Sequence, residues 1–175
     1  MLAVERKRAT ILNADVAGYA RMMAQDALLT IDSLLDCVQR LCALVRLYEG
    51  RVIDTTGDNL SAEFCDANAA LQCALEMQHE LLSRNRGLPP GQRMRFRVGL
   101  HSGEVLSVAE RVFGDVVNVA ARIQSSADPD TVVVSDALAE RAQPGLLARA
   151  IDRGAQRFKH IPYAVRTLTL RAHAD

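Results

Sequence analysis

Two long amphipathic helices, each flanked by strand-like segments, constrain the fold of this chain more than any other feature. Apolar residues recur at the three-four spacing of one helical face between Ile31 and Val45, and again between Ala70 and Leu81. Gly50 stands where a C-cap glycine would end the first helix. A chain of 175 residues is long enough for one domain with a single core, and the mixture of segments predicts an α+β fold.

Short strand-like segments surround these helices. Their predicted ranges are 8–14, 51–55, 60–64, 94–100, 104–108 and 131–135. Gly57-Asp58-Asn59 separates the second from the third, and such residues tolerate the positive φ of a tight hairpin. A second hairpin is predicted around His101-Ser102-Gly103, and a further helix over 115–125. The order is βαββαβ, so we expect a ferredoxin-like core sheet with helices packed on one face.

The C-terminal part of the sequence extends this core. A short helix near 136–142 and two weaker strands, near 156–160 and 165–170, follow the last core strand. No linker long enough to divide the chain lies between these elements. We therefore expect one domain over residues 8–170, a flexible N-terminus over 1–7 and a loose tail over 171–175.

Two aspartates are expected to meet at one edge of the predicted sheet. Asp15 ends the first strand, and Asp58 lies at the tip of the hairpin that ends the second. A strand–helix–strand crossover makes two strands parallel neighbours or near neighbours, so their carboxyl ends share an edge. Two carboxylates there can hold a divalent cation such as Mg²⁺, but aspartate is also common in turns. From the residues alone, both interpretations stay open.

Charge and composition exclude several classes of function. The 21 Lys and Arg residues balance the 21 Asp and Glu residues, and aromatic residues make up 4% of the chain, with no Trp. A sheet that binds nucleic acid needs positive charge and stacking aromatics, so that function is not expected. The four cysteines contain no CxxC pair and the four histidines have no zinc-ligand spacing. No apolar run is long enough for a membrane span and no signal peptide is evident, which predicts a soluble, cytoplasmic protein.

Four segments in order resemble the class III adenylyl/guanylyl cyclase catalytic domain in its bacterial form. They are ILNADVAGYARMM, DTTGDNLSAEF, RVGLHSGEV and VFGDVVNVAARI. The resemblance covers roughly residues 8–170 and implies a βαββαβ core. It also implies a head-to-tail homodimer whose active sites lie at the interface. The implied reaction converts a nucleoside triphosphate into the 3′,5′-cyclic monophosphate and pyrophosphate, with two Mg²⁺ or Mn²⁺ ions in each active site.

The same resemblance implies roles for residues of the first two segments. Asp15 and Asp58 match the two metal-binding aspartates, and the backbone carbonyl of Val16 would bind one ion. Gly18 and its neighbours resemble the turn whose amides hold the triphosphate.

Further roles are implied for the C-terminal half of the chain. Asn118 and Arg122 are four residues apart and share one face of the predicted helix. Asn118 matches the asparagine that positions the ribose, and Arg122 matches the arginine that contacts the α-phosphate in the transition state. Lys159, in the segment QRFKHI, matches the lysine that binds the terminal phosphates. In the family these three residues come from one subunit and the two aspartates from the other.

The positions that contact the purine base depart from the family pattern. Adenylyl cyclases place Lys four residues before the second metal aspartate and Asp three residues before the glycine of the Asn/Arg motif, where this chain has Asp54 and Arg111. Guanylyl cyclases usually carry Glu and Cys there, so the choice between ATP and GTP stays open. The alternative is a degenerate, nucleotide-binding domain with little or no turnover, in which Asp54 and Arg111 pair across the subunit interface.

Overall fold

The structure is a computed structural model, and it describes residues 3–172. Its strands are β1 (Val4–Val16), β2 (Arg51–Asp54), β3 (Leu60–Phe64), β4 (Phe96–Val108), β5 (Arg111–Phe113), β6 (Thr131–Ser135), β7 (Ile151–Arg157) and β8 (Ala164–Arg171). Its α-helices are α1 (Tyr19–Gln25), α2 (Ala27–Leu47), α3 (Ala67–Asn85), α4 (Asp115–Ser125) and α5 (Asp136–Ala139). Two short 3-10 helices span Pro90–Gln92 and Pro144–Leu147.

One mixed sheet organises these elements, and the predicted α+β fold is confirmed. The strand order is β2-β3-β1-β4-β6-β8-β7, with β5 paired to β4. β3 lies antiparallel to both β1 and β2, so β1 and β2 run parallel with β3 between them. The first four strands of this order form the ferredoxin-like core. β8 and β7 extend the sheet beyond β6. β8 contains the predicted strand 165–170, whereas β7 begins five residues before the predicted range 156–160 and ends at Arg157.

The long helices α2 and α3 cover one face of the sheet, as predicted, because their apolar stripes face it. Leu41 and Val45 of α2 and Met77 of α3 are fully buried with Leu12 and Phe96 of the sheet. Each helix begins at an aspartate that caps it. The side chain of Asp26 accepts a hydrogen bond from Leu29 at 3.0 Å, and that of Asp66 accepts one from Asn68 at 3.0 Å.

Helix α4 lies against the other face of the sheet and close to β4. A Cβ atom on Gly99 would stand 2.3 Å from the backbone nitrogen of Gln124, and one on Gly103 would stand 2.6 Å from Cγ2 of Val116. Two glycines in β4 therefore let the helix backbone approach the strand. The buried side of α4 also packs on the outer strands, where Ile123 joins a cluster with Val133 and Val165.

The second predicted hairpin is wrong in its position. β4 runs without a break through His101-Ser102-Gly103, and the turn lies at Ala109 and Glu110, whose φ angles are 46° and 66°. That turn joins β4 to β5. Gly103 is small because Val116 packs on it, and the Ser102 hydroxyl lies 2.6 Å from the hydroxyl of Thr10 on β1.

The end of α2 differs from the prediction as well. The residue in the left-handed region is Glu49, with φ of 60°, and not Gly50. Gly50 meets a different requirement, because a Cβ atom there would stand 2.4 Å from the Phe64 ring. Its missing side chain makes room for a buried aromatic ring of the core.

The ends of the chain are more ordered than expected where the structure describes them. β1 already begins at Val4, and Val4 and Lys7 pair with Val108 and Val105 of β4. Residues 4–7, expected to be flexible, thus belong to the sheet, and Arg171 of the expected tail belongs to β8. Residues 1–2 and 173–175 lie outside the described residues. Within residues 3–172, no helix has the length and hydropathy that crossing a membrane requires.

Candidate active site

The structure brings Asp15 and Asp58 together at one edge of the sheet. The parallel strands β1 and β2 both end there, and the turn that follows β2 contains Gly57 with φ of 61°. The backbone nitrogen of Val16 donates a hydrogen bond to Oδ2 of Asp58 at 3.3 Å. The carboxylate of Asp58 therefore lies beside the residue that follows Asp15.

Arg97 is a residue of this edge for which the sequence predicted no role. It stands opposite Asp15 in the register of β1 and β4, and its Nε and Nη2 donate to the two Asp15 carboxylate oxygens at 2.9 and 2.7 Å. This two-pronged ion pair fixes the orientation of the Asp15 carboxylate. Arg97 is the first residue of the segment RVGLHSGEV, but its partner depends on the strand register, which no local pattern reveals.

The atoms at this edge fit a hard divalent cation. Asp15 and Asp58 offer carboxylate oxygens, and Val16, which directly follows Asp15, offers its backbone carbonyl. Among residues 3–172, no cluster of three or more His, Cys, Asp or Glu side chains could hold a metal ion by itself. A cation here would need water or substrate oxygens to complete its coordination, as Mg²⁺ commonly does beside phosphates. It would also share the Asp15 carboxylate with Arg97.

The turn at Gly18 follows directly on this edge. Gly18 has φ of 73°, a left-handed conformation that favours glycine, and it precedes α1. The neighbouring Ala17 donates its backbone N–H to the carbonyl of Arg95 at 2.8 Å, which anchors the turn to the start of β4. Gly18 is exposed to solvent, so a ligand can reach the turn.

Asn118 and Arg122 lie on the side of α4 that faces away from the sheet. Val116, Val119 and Ala120 supply the buried side of this helix, whereas Asn118 is exposed and Arg122 is half-buried. In the part of the chain that the structure describes, neither side chain is hydrogen-bonded or ion-paired to Asp15 or Asp58. The helix thus holds two polar side chains ready for a ligand without joining them to the aspartate edge of the same chain.

A contact at the start of α4 restrains this helix. The hydroxyl of Tyr163, in the connection between β7 and β8, donates a hydrogen bond to Oδ2 of Asp115. Burial, followed by the nearby Asp115 carboxylate, raises the pKa of Tyr163 to about 12. The phenol therefore stays protonated at neutral pH and remains a donor to the first residue of α4.

Lys159 lies far from the aspartates of its own chain. It is exposed, and it follows β7, which runs in the same direction as β4. The start of β4 is opposite Asp15, so the end of β7 lies at the other edge of the sheet. β4, β6 and β8 also separate β7 from β1. Lys159 can act together with Asp15 only if the two belong to different copies of the chain.

Asp54 is the last residue of β2 and Arg111 is the first residue of β5, and both are exposed. Oδ1 of Asp54 accepts a hydrogen bond from the hydroxyl of Thr56 at 2.6 Å, and the Arg111 guanidinium lies 5.2 Å from the centre of the Phe113 ring. No ion pair links Asp54 to Arg111 among residues 3–172. Within one chain both side chains are therefore available for a ligand or for another subunit.

The elements that carry these two residues lie next to each other. Ile53 and Val112 pack against the same apolar cluster, which α4 shares with β1 and β4. Nη1 of Arg51 donates to the carbonyl of Glu110 at 2.8 Å and so joins β2 to the turn before β5. The strands that carry Asp54 and Arg111 are thus neighbours in the fold.

Comparisons with known proteins agree on one family. The family model of the adenylate and guanylate cyclase catalytic domain matches residues 2–157. A putative adenylate cyclase 3 from Rhizobium meliloti is 35% identical over 168 residues, which cover 95% of this chain and 29% of that protein. An adenylate cyclase from Streptomyces coelicolor is 30% identical over 135 residues, covering 77% of this chain and 34% of that protein. The chain thus spans about a third of the length of these two relatives.

Solved structures give the same result for the fold. An adenylate/guanylate cyclase/hydrolase from Silicibacter pomeroyi superposes with a TM-score of 0.82 at 33% identity, covering 97% of this chain and 99% of that one. The adenylyl cyclase CyaB from P. aeruginosa also gives a TM-score of 0.82, at 18% identity and 99% coverage of both chains. At that identity the second match supports the fold alone.

Proposed function

The chain belongs to the family of the adenylate and guanylate cyclase catalytic domain and is a class III cyclase domain, and from this premise we propose the reaction that it catalyses. It converts a purine nucleoside triphosphate, ATP or GTP, into the 3′,5′-cyclic monophosphate and pyrophosphate. The observation that carries this proposal is the meeting of Asp15 and Asp58 at one sheet edge, where the Val16 N–H donates a hydrogen bond to Asp58.

The aspartate edge would hold the divalent ions. Mg²⁺ or Mn²⁺ ions bound there, two in each site, would lower the pKa of the ribose 3′-hydroxyl and neutralise the phosphates. Asp15 and Asp58 supply carboxylates for them and Val16 supplies its carbonyl oxygen. Arg97 keeps the Asp15 carboxylate in one orientation and would add a positive charge near the phosphates. The amides of the Gly18 turn would bind the triphosphate from the side of α1.

The exposed side of α4 would act on the reacting centre. Asn118 positions the ribose, and Arg122 meets the negative charge that develops on the α-phosphoryl oxygens. Because α4 lies directly on Gly99 and Gly103, Arg122 extends from a fixed helix, and its contact can strengthen in the transition state without prior rearrangement. Loss of one such donor typically costs about 3 kcal/mol of barrier.

A head-to-tail homodimer would assemble the two halves of each site. Two observations support this arrangement: Lys159 lies at the sheet edge opposite Asp15, and α4 makes no polar contact with the aspartates within residues 3–172. A two-fold dimer would place Asn118, Arg122 and Lys159 of one subunit over the Asp15 and Asp58 edge of the other. It would have two equal sites, and a monomer would be inactive.

Product analysis tests the proposed reaction directly. The pure protein is incubated with ATP, GTP, CTP or UTP and either Mg²⁺ or Mn²⁺, and any cyclic product is identified by mass. Asp58→Ala should abolish turnover while the protein stays folded and dimeric. Asp32→Ala is the matched control, because Asp32 is an exposed carboxylate of α2 with no ion pair among residues 3–172. Normal turnover by Asp58→Ala would refute the metal assignment.

Mixing two inactive variants tests the shared site. Asp58→Ala and Arg122→Ala chains are combined, allowed to exchange subunits and assayed. If the aspartates and Arg122 act from different subunits, each mixed dimer has one intact site, and the mixture should reach about a quarter of the wild-type rate. A mixture as inactive as its components, with subunit exchange verified, would show that each subunit forms its site alone.

A second candidate function is a nucleotide-binding regulatory domain with little turnover. The charges of Asp54 and Arg111, which invert those of the adenylyl cyclase pattern, favour this candidate. The presence of Asp15, Asp58, Asn118 and Arg122 favours the enzyme. Nucleotide binding without any cyclic product from the four triphosphates would select the regulatory domain. A preference for GTP would fit Asp54 as acceptor for the guanine N1–H and N2–H₂ donors, with Arg111 reaching O6.

A further inference from the structure

A cavity of about 860 Å³ lies behind the Gly18 turn, between α1, the end of α3 and the start of β4. Four arginines line it, namely Arg21, Arg86, Arg93 and Arg95. Asp130 is its single acidic lining residue, and neither Asp15 nor Asp58 lines it. The Ala17–Gly18 turn forms one wall, so the cavity borders the candidate active site without being part of it.

The positive charge of this arginine cavity is largely uncompensated. Nε of Arg95 donates to Oδ2 of Asp130 at 2.6 Å. Over the described range 3–172, none of Arg21, Arg86 and Arg93 forms an ion pair with a carboxylate. The chain as a whole has as many acidic as basic residues, so this excess of positive charge is local. Like charges around one cavity repel each other, and a bound anion reduces that repulsion.

Backbone contacts fix the walls that carry these arginines. Nε of Arg93 donates to the carbonyl of Leu88 at 2.8 Å, and the carbonyl of Arg95 accepts from Ala17 at 2.8 Å. The Arg21 guanidinium folds over the turn, with Nη2 3.6 Å from the place that a Cβ atom on Gly18 would occupy. The cavity is therefore bounded by defined backbone, and the four arginines that line it are exposed to solvent.

We propose that the arginine cavity binds a multiply charged phosphate anion, with pyrophosphate as the simplest ligand. Guanidinium groups bind phosphate oxygens through two parallel hydrogen bonds, and several of them around one space suit a ligand with more than one phosphate. The volume lies in the range of small-molecule sites. The identification of this anion as the reaction's own pyrophosphate rests on the proposed function, because that product would leave beside the Gly18 turn.

Titration calorimetry with inorganic pyrophosphate tests the site. The full chain is titrated at low salt with a chelator present, because without divalent ions the Asp15 and Asp58 carboxylates repel the anion and the heat reports on the arginines. The double variant Arg86→Gln, Arg93→Gln should raise the dissociation constant by at least about tenfold. Arg86→Gln alone should raise it about threefold. Arg86 donates no side-chain hydrogen bond within residues 3–172, so its loss leaves the fold intact.

A matched control separates a built site from general charge. The double variant Arg141→Gln, Arg149→Gln removes two exposed arginines that form no ion pair within residues 3–172, and neither lines the cavity. It should leave the dissociation constant within about twofold of the wild-type value. Equal weakening by both double variants would overturn the site. Absence of pyrophosphate binding by the wild-type chain at millimolar concentration would overturn it too.

Product inhibition distinguishes the two sources of the anion. If the reaction's pyrophosphate occupies the cavity, the Arg86→Gln, Arg93→Gln variant should need several-fold more added pyrophosphate for half-inhibition of turnover. If an independent phosphorylated metabolite is the ligand, calorimetric binding should weaken while product inhibition stays unchanged. Pyrophosphate binding by a chain that forms no cyclic product would refute the proposed function and leave the anion site standing.

Discussion

Replacing Gly99 by alanine should displace the helix that carries Asn118 and Arg122. The new Cβ atom would stand 2.3 Å from the backbone nitrogen of Gln124 and 2.5 Å from its Cα, whereas ordinary contact begins at 3.4 Å. The obstacle is helix backbone, which cannot rotate away as a side chain can. The C-terminal half of α4 must therefore move by about 1 Å relative to β4, or β4 must yield by the same distance.

Both stability and catalysis should respond to this displacement. Forcing an extra methyl group into a packed region costs about 1–3 kcal/mol, and a misplacement of about 1 Å at a catalytic group can reduce the rate about 100-fold. Gly103→Ala should have a smaller effect, because its Cβ would meet only the end of the Val116 side chain, at 2.6 Å. Gly145→Ala is the control, since nothing lies within 4 Å of its Cβ position.

Urea unfolding and cyclic nucleotide formation measure the two responses in the same preparations. The free energy of unfolding and the rate should both be highest for Gly145→Ala, lower for Gly103→Ala and lowest for Gly99→Ala. A Gly99→Ala protein with wild-type stability would refute the close contact of α4 with β4. Lost stability with an unchanged rate would refute the claim that this contact positions Asn118 and Arg122.

Three further predictions follow from other contacts. Asp54→Lys combined with Arg111→Asp should raise turnover of ATP relative to GTP, and an unchanged ratio would show that these positions do not contact the base. Burial tends to raise the pKa of Glu63, but the ion pairs with Lys7 and Arg51 outweigh it and hold the pKa below its usual range. These pairs therefore stabilise the fold above about pH 4.3, and their contribution is lost as the pH falls below that value. Glu63→Gln should therefore lower the free energy of unfolding at pH 7 by about 1–3 kcal/mol, with a smaller loss at pH 3, and equal losses at both pH values would contradict the ion-pair account. Tyr163→Phe should lower the rate of cyclic nucleotide formation and change the free energy of unfolding only slightly, because it releases only the start of α4. A variant equal to the wild type in both quantities would show that this hydrogen bond does not restrain the helix.

The order of the elements could be predicted because it depends on local patterns. The apolar stripe of α2 and the turn residues around Asp58 are visible within short windows of sequence. Two of the errors concern glycines, one taken as a turn residue and the other as a helix C-cap. Gly103 and Gly50 are small because Val116 and Phe64 pack against them, and those contacts join segments that no local window contains together.

The same distinction between local patterns and contacts of distant segments applies to the candidate site. The meeting of Asp15 and Asp58 could be predicted because a crossover rule makes their strands parallel, whatever the exact register. The Asp15–Arg97 ion pair could not, because a shift of one residue between β1 and β4 would place Arg97 opposite a different residue and on the other face relative to Asp15. The arginine cavity could not be predicted from the sequence either, since its residues come from four separate stretches of the chain.

The strand β4 physically connects the two halves of the proposed site. Near its start Arg97 forms the ion pair with Asp15. Farther along, the helix that carries Arg122 packs directly on Gly99 and Gly103. If the aspartates and Arg122 of one chain serve different active sites, each β4 touches both sites of the dimer. A change at Gly99 in one subunit should then impair Arg122 in one site directly and, through Arg97 two residues away, the orientation of Asp15 in the other. Mixed dimers with one Gly99→Ala chain should therefore lose more than half of the wild-type rate, whereas a loss of only half would mean that β4 transmits nothing between the sites.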